Sequence, residues 1–251
     1  MATTTATVPA VIRSLPGRRY DHPFFTGTAI LMVITVVIGF APTYFLAGMF
    51  RAPLPSATIH VHATIFIGWL LLLITQTLLV SAGRVDLHRK LGIFAVIYAG
   101  VMVILGLLAA TDTLVRDNDK FGRDPRVFYL TPTSEIAVFG ILIAFAFYYR
   151  KSSAVHKRFI YVANAALMLP AIARMPIHGI FRNNPAASLV SDVFLLILVA
   201  YDYWSNRKVY RTTIYASLFL IFVQQVRAPL SHTTLWMSFA SWVQHAAHGL
   251  T

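Results

Sequence analysis

The amino-acid sequence predicts an all-α, polytopic membrane bundle of about seven transmembrane helices, and three observations carry that expectation. Of its 251 residues, 57% are apolar and only 12% charged, against roughly 25% charged residues in soluble domains. The apolar residues gather into long runs, and the one from Ala52 to Gly83 contains no Asp, Glu, Lys or Arg. A spanning helix needs about 20 such residues, whereas barrel strands are about half as long and alternate in polarity.

The elements follow in chain order. Residues 1–23, MATTTATVPAVIRSLPGRRYDHP, hold three arginines and no small-residue cleavage site behind a short apolar core, so they read as a cytoplasmic arm and not as a signal peptide. Seven spans are expected at 24–48, 58–82, 91–111, 128–149, 159–179, 187–205 and 212–228, making 24–228 the membrane domain. Residues 229–251 form a separate tail. Lys and Arg are retained on the cytoplasmic side. The arm and the loops after spans 2, 4 and 6 carry 13 cations against 8 on the other side, which places the N-terminus inside and the C-terminus outside.

Composition also excludes several functions. The net charge of +12 sits in short clusters between apolar runs, so it signals topology and not a nucleic-acid surface. With no cysteine, disulfides, thiolate nucleophiles and cysteine metal sites are ruled out. No nucleophile–base–acid arrangement appears, so catalysis has no positive support.

Two stretches, LHRKLG (Leu87–Gly92) and VHKRF (Val155–Phe159), place a histidine and two cations at the threshold of an apolar run. His88 and His156 fall at the cytoplasmic interface, where snorkelling Lys and Arg fix the depth of a helix. In span 3, Gly92, Ala99 and Gly106 recur every seven residues and offer a smooth packing face.

The block HVHATIFIGWLLLLITQTLLVSAGRVDLHRKLGIFAVIYAG, with VHKRFIYVANAALMLPAIAR, resembles uncharacterised bacterial multi-pass membrane protein families whose hairpin carries Gly-Arg and then His-Arg-x-Leu-Gly. The resemblance covers about half the chain and implies a protein of the bacterial cytoplasmic membrane. The chain also bears a looser similarity to cytochrome b561-like membrane proteins, which hold haem between histidines on neighbouring helices. On that reading haem b would take His62 and His178 as an outer axial pair, with Arg174 and Arg182 meeting its propionates, or His88 and His156 as an inner pair.

Charges inside the spans are the main functional signal. A lone charge at membrane depth costs about 2.5–3.5 kcal/mol on insertion scales, so Glu135 in span 4 and Arg174 in span 5 are expected to pair. Asp192 near the outer end of span 6, His60 and His62 opening span 2, and His178 closing span 5 share their level. At about 100° per residue, His62, Trp69 and Gln76 fall on one face of span 2, and His60 points nearly opposite. Asn164, Arg174 and His178 lie in one arc of span 5, unless Pro170 and Pro176 end the helix early.

The expected ligand-binding set is therefore His62, Glu135, Arg174, His178 and Asp192. Three readings stay open: an outward-facing site that binds or transports a small molecule or ion, a haem or metal redox centre, and an accessory subunit whose polar pairs only hold helices. For a divalent metal, His62 and His178 with the two carboxylates supply suitable donors.

In the loop after span 3, DNDKFG (Asp117–Gly122) has the start of a calcium loop, but position twelve is Phe128 instead of Glu. In the tail, Trp236, Phe239, Trp242 and Val243 recur at helical spacing, with Ser238, Ser241, His245 and His248 opposite. This predicts an interfacial amphipathic helix. The expected partners are the lipid bilayer and other membrane proteins or a second copy.

Overall fold

Apolar runs punctuated by proline, glycine and small polar residues fold into helices throughout residues 20–52, 55–116, 124–180 and 184–248, the part described by the computed structural model. No strand occurs among the described residues. The helices are α1 (Asp21–Phe40), which runs on into a π turn (Ala41–Phe45), α2 (Ala57–Ser81), α3 (Val85–Val115), α4 (Pro125–Tyr148) and α5 (Ser153–Ala166). After these come α6 (Leu169–Ile172), α7 (Asn184–Ser191), α8 (Val193–Asn206), α9 (Arg211–Ser231) and α10 (Thr234–His248). The DNDKFG stretch, Arg182 and most of the N-terminal arm lie outside the described residues.

Local chemistry sets the boundaries. Ser56 caps α2 by accepting the Ile59 amide at 3.2 Å, and Asp124 caps α4 by accepting the Arg126 amide at 2.9 Å. Each cap satisfies a donor that the first turn leaves free. Pro125 then occupies the first turn of α4, where its missing N–H costs nothing. Gly83, with φ of 74°, makes the turn from α2 into α3, a left-handed conformation that glycine adopts without strain.

Six segments are long and apolar enough to cross a membrane: Asp21–Phe45, Ala57–Ser81, Val85–Val115, Pro125–Tyr148, Pro185–Asn206 and Arg211–Ser231. They correspond to six of the seven expected spans. The expected span at 159–179 is not one helix. α5 ends at Ala166, two i→i+3 bonds tighten the turn (Leu167 amide to Asn164 carbonyl and Met168 amide to Ala165 carbonyl, both 3.1 Å), and α6 adds a single turn. Pro170 explains the break: it has no N–H for the Ala166 carbonyl, and its ring crowds that carbonyl. The broken segment is nonetheless the centre of the bundle, with Val162, Ala163 and Ala171 fully buried. The last expected span, 212–228, also runs longer than expected, since α9 continues through Pro229 to Ser231.

The bundle is apolar outside, and its few buried charges lie within an apolar interior. Ile34 of α1, Ile97 of α3, Leu196 of α8 and Phe222 of α9 are exposed, whereas Glu135, Arg158, Asp202 and Arg227 are buried. Exposed apolar surface on this scale needs a non-aqueous neighbour, and lipid supplies it. In α3, Ala99 and Gly106 are buried as their spacing predicts, and Gly106 lies against Ile136 of α4.

α1 and α6 approach each other backbone to backbone at Gly39. A Cβ on Gly39 would lie 2.1 Å from the Ala171 carbonyl oxygen and 2.6 Å from its carbon. Backbone cannot move aside as a side chain can, so Gly39→Ala is expected to lower stability by about 1–3 kcal/mol. Gly100→Ala, with nothing within 4 Å, is expected to raise it by up to about 1 kcal/mol. Thermal unfolding in detergent compares the two.

Candidate functional site

Two polar clusters interrupt the apolar interior. The first lies toward the α10 end of the bundle, around Arg227 of α9. Its guanidinium donates to Glu135 Oε1 of α4 through Nη1 and to Ser188 Oγ of α7 through Nη2, both at 2.9 Å. Asp192, at the kink between α7 and α8, is within hydrogen-bonding reach of the Gln224 side-chain amide of α9 and within Coulomb range of Arg227, while its Oδ1 has no partner among the described residues. Although Asp192 occupies the N-cap position of α8, its side chain makes no capping bond.

Arg174 follows α6 and is half-buried. It donates to the Pro170 carbonyl at 2.7 Å, and its guanidinium lies 4.8 Å from the Phe40 ring centroid. Glu135 and His62 feel its charge, but the ion pair expected between Glu135 and Arg174 does not form. Arg227 takes the carboxylate instead, because α9 extends far enough to bring it alongside α4. The Pro170 carbonyl, four residues back, occupies Arg174.

The remaining expected residues separate. His62 packs on Phe66 with ring centroids 4.0 Å apart and has the Leu105 backbone beside it. His60 is exposed and hydrogen-bonds the Tyr44 hydroxyl at 3.1 Å through Nδ1, so the two histidines diverge as helical phase predicts. His178 lies on an exposed turn; the helix stops before Pro176, and the arc shared with Arg174 is lost.

Five buried side-chain polar atoms lack a hydrogen-bond partner among the described residues: Thr43 Oγ1, His62 Nδ1, Asp192 Oδ1, Ser217 Oγ and Gln224 Oε1. Two of them, on Asp192 and Gln224, belong to this cluster. Burying a polar atom without a partner costs about 1–3 kcal/mol, so their concentration in one place marks binding capacity.

The second cluster lies at the opposite end. Arg158 of α5 and Asp202 of α8, 1% and 0% exposed, form a bidentate pair, with Arg158 Nε 3.1 Å from each carboxylate oxygen and Nη2 on Oδ1. Thr213 Oγ1 donates to Asp202 Oδ2 at 2.5 Å, and the Tyr210 ring stacks on the guanidinium at 3.6 Å. Next to it, Lys157 pairs with Asp21 at 2.5 Å, and Tyr201 donates to the same carboxylate at 2.7 Å.

The two His-plus-plus stretches thus differ. Arg89 and Lys90 are exposed, as snorkelling cations should be, while Lys157 and Arg158 are paired inside the bundle. His88 and His156 do face each other, with ring centroids 6.3 Å apart, and the His156 Nδ1 bonds the Ala146 carbonyl at 2.8 Å. Between the two clusters, the Trp69 indole donates to Asn164 Oδ1 at 2.9 Å.

At the end of the first cluster, α10 packs across α3 and α4. The Trp236 indole donates to the Arg126 carbonyl at 2.8 Å, the Gln244 amide to the Leu114 carbonyl at 3.1 Å, and Arg126 to Ser241 Oγ at 3.1 Å. Arg126 also holds the Asp124 carboxyl below the usual carboxylate range. The expected apolar face of α10 divides: Trp236 and Val243 pack on the bundle, and Phe239 and Trp242 stay exposed.

No protein-family model, curated protein or solved structure matches the chain. Among the described residues no group of three or more His, Asp or Glu side chains gathers for a metal.

Proposed function

We propose that the chain is a multi-pass protein of a bacterial cytoplasmic membrane that binds, and passes across the bilayer, a small polar molecule or ion at the cluster of His62, Glu135, Arg174 and Asp192, joined by Ser188, Gln224 and Arg227. The observation that carries it is that Asp192 Oδ1 and Gln224 Oε1, on side chains that adjoin each other, are buried without partners among the described residues. In this reading α5 and α6 are a seventh, discontinuous crossing, since they link the level of Arg158 to that of Arg174. Broken helices at membrane depth occur where they line a cavity or are buried in protein. The cation asymmetry puts the N-terminus inside, so the cluster opens outward and the exposed Phe239 and Trp242 of α10 rest at headgroup depth.

The test is thermal unfolding of detergent-purified protein against cationic, anionic and uncharged small solutes. A ligand at about a hundred times its Kd stabilises by about 2.7 kcal/mol. At least one solute is expected to raise the midpoint of the native protein and not that of Gln224→Leu, whose unliganded stability should be unchanged or higher. No shift with any solute would refute the reading.

A haem-binding redox protein is the second reading, favoured by the facing rings of His88 and His156. A Soret band in the purified protein, lost in His88→Ala, would select it.

A further inference from the structure

α9 presents one buried face of unusual polarity. Thr213, Ser217, Gln224, Arg227 and Ser231 are all buried along it, interrupted by Ala216 and Leu220. At helical spacing these residues form a seam that begins at Asp202, where Thr213 is bonded, and reaches Asp192 beside Gln224. Polar groups in a bundle core are costly unless satisfied. Thr213, Arg227 and Ser231 have partners, whereas Ser217 Oγ and Gln224 Oε1 have none among the described residues.

The charge balance at the Asp192 end is uneven. Both terminal nitrogens of Arg227 are committed, one to Glu135 and the other to Ser188. Asp192 has no ion pair among the described residues, and the cationic charge acting on it is that of Arg227. Two carboxylates therefore share one guanidinium, whose hydrogen bonds go to Glu135 and Ser188 and none to Asp192. Arg174 offsets Glu135 from a distance and is not among the charges acting on Asp192.

The atoms left over are of one chemical kind. Asp192 Oδ1 and Gln224 Oε1 are acceptor oxygens with nothing to donate, and Gln224 is only 8% exposed. Free acceptors on and beside a carboxylate that has no ion pair among the described residues call for a cation. Hard oxygen ligands select an alkali ion over softer metals, and a divalent ion is ill served where no third His, Asp or Glu joins the group among the described residues.

From this juxtaposition we infer that Asp192 and Gln224, at the kink between α7 and α8, bind a small alkali-metal cation. The inference rests on the ligand-binding reading above and names the ligand class of that cluster. The helix kink gives the site its shape: the side chain of Asp192 is released from capping α8 and stands beside α9. Ser217, two turns along the same face, is the next oxygen on the seam.

The experiment measures the unfolding midpoint of the native protein in sodium chloride, potassium chloride and N-methylglucamine chloride at equal ionic strength. Sodium or potassium is expected to raise the midpoint saturably, by about 5 °C or more at a hundred times the half-saturating concentration, with N-methylglucamine inert. Asp192→Asn and Gln224→Leu should each abolish the rise. Identical midpoints in the three salts, or a rise that persists in Asp192→Asn, would overturn the inference. If the salts are equivalent but another solute stabilises the native protein and not Gln224→Leu, only the ligand class falls. If no solute does so, the binding reading falls with it.

Discussion

Replacing Asp202 with alanine is expected to cost about 3–5 kcal/mol of stability, lowering the unfolding midpoint by at least about 6 °C for a chain of this size. The residue is 0% exposed and anchors Arg158, Thr213 and the Tyr210 amide together. Without it, Arg158 stays buried with the Ala154 carbonyl and the Tyr210 ring, neither of which neutralises a full charge. Arg158→Met strands the carboxylate and should cost as much, although Thr213 and the Tyr210 amide still donate to it. The double variant Asp202→Leu/Arg158→Met should be markedly more stable than either single one, because removing both charges also removes the penalty of burying one alone. Equal losses that simply add would show that packing, and not the ion pair, sets the effect.

Arg227→Met should bring a loss of about 3–5 kcal/mol at the other end, for the same reason, as Glu135 is left with only the distant charge of Arg174. Glu135→Gln is expected to cost less, about 1–3 kcal/mol, because Arg227 keeps Ser188 and has Asp192 close by. This asymmetry separates the cluster from the Arg158–Asp202 pair, where neither partner has a substitute. Thermal unfolding of the two single variants and of Glu135→Leu/Arg227→Met measures it. A neutral Arg227→Met beside a destabilised Arg174→Met would reassign the carboxylate to Arg174.

That reassignment shows how far the residues alone could be read. Glu135 stands in a long apolar run, so its need for a cation was legible. Which cation was not, because Arg227 sits just before Pro229 and looks like a boundary residue until α9 is seen to continue to Ser231. Arg174 was drawn toward Glu135 by depth alone, and the carbonyl that Pro170 provides for it is a local bond that depth does not reveal. The six segments long and apolar enough to cross a membrane are legible from run length. The break at Pro170 was foreseeable in kind, and the place of α5 at the bundle centre was not.

Asp202 escaped notice for a physical reason as well. An acid about one turn from a helix end is tolerated at an interface, so its position carries no signal, and Arg158 matches the pattern of a snorkelling cation. The pattern LHRKLG met that expectation and VHKRF did not. The difference comes from Asp21 and Asp202, which lie far from Lys157 and Arg158 in the chain. Spacing around a cation says nothing about acids that arrive from other helices.

The three bonds by which α10 grips α3 and α4 have a mechanical consequence. They join the C-terminal end of one helix to the N-terminal end of the next through a third element, in parallel with the covalent link between them. The mouth of the bundle is therefore held by a clasp that does not depend on chain continuity between residues 116 and 124. A polypeptide divided there would still have its two pieces fastened together at that rim.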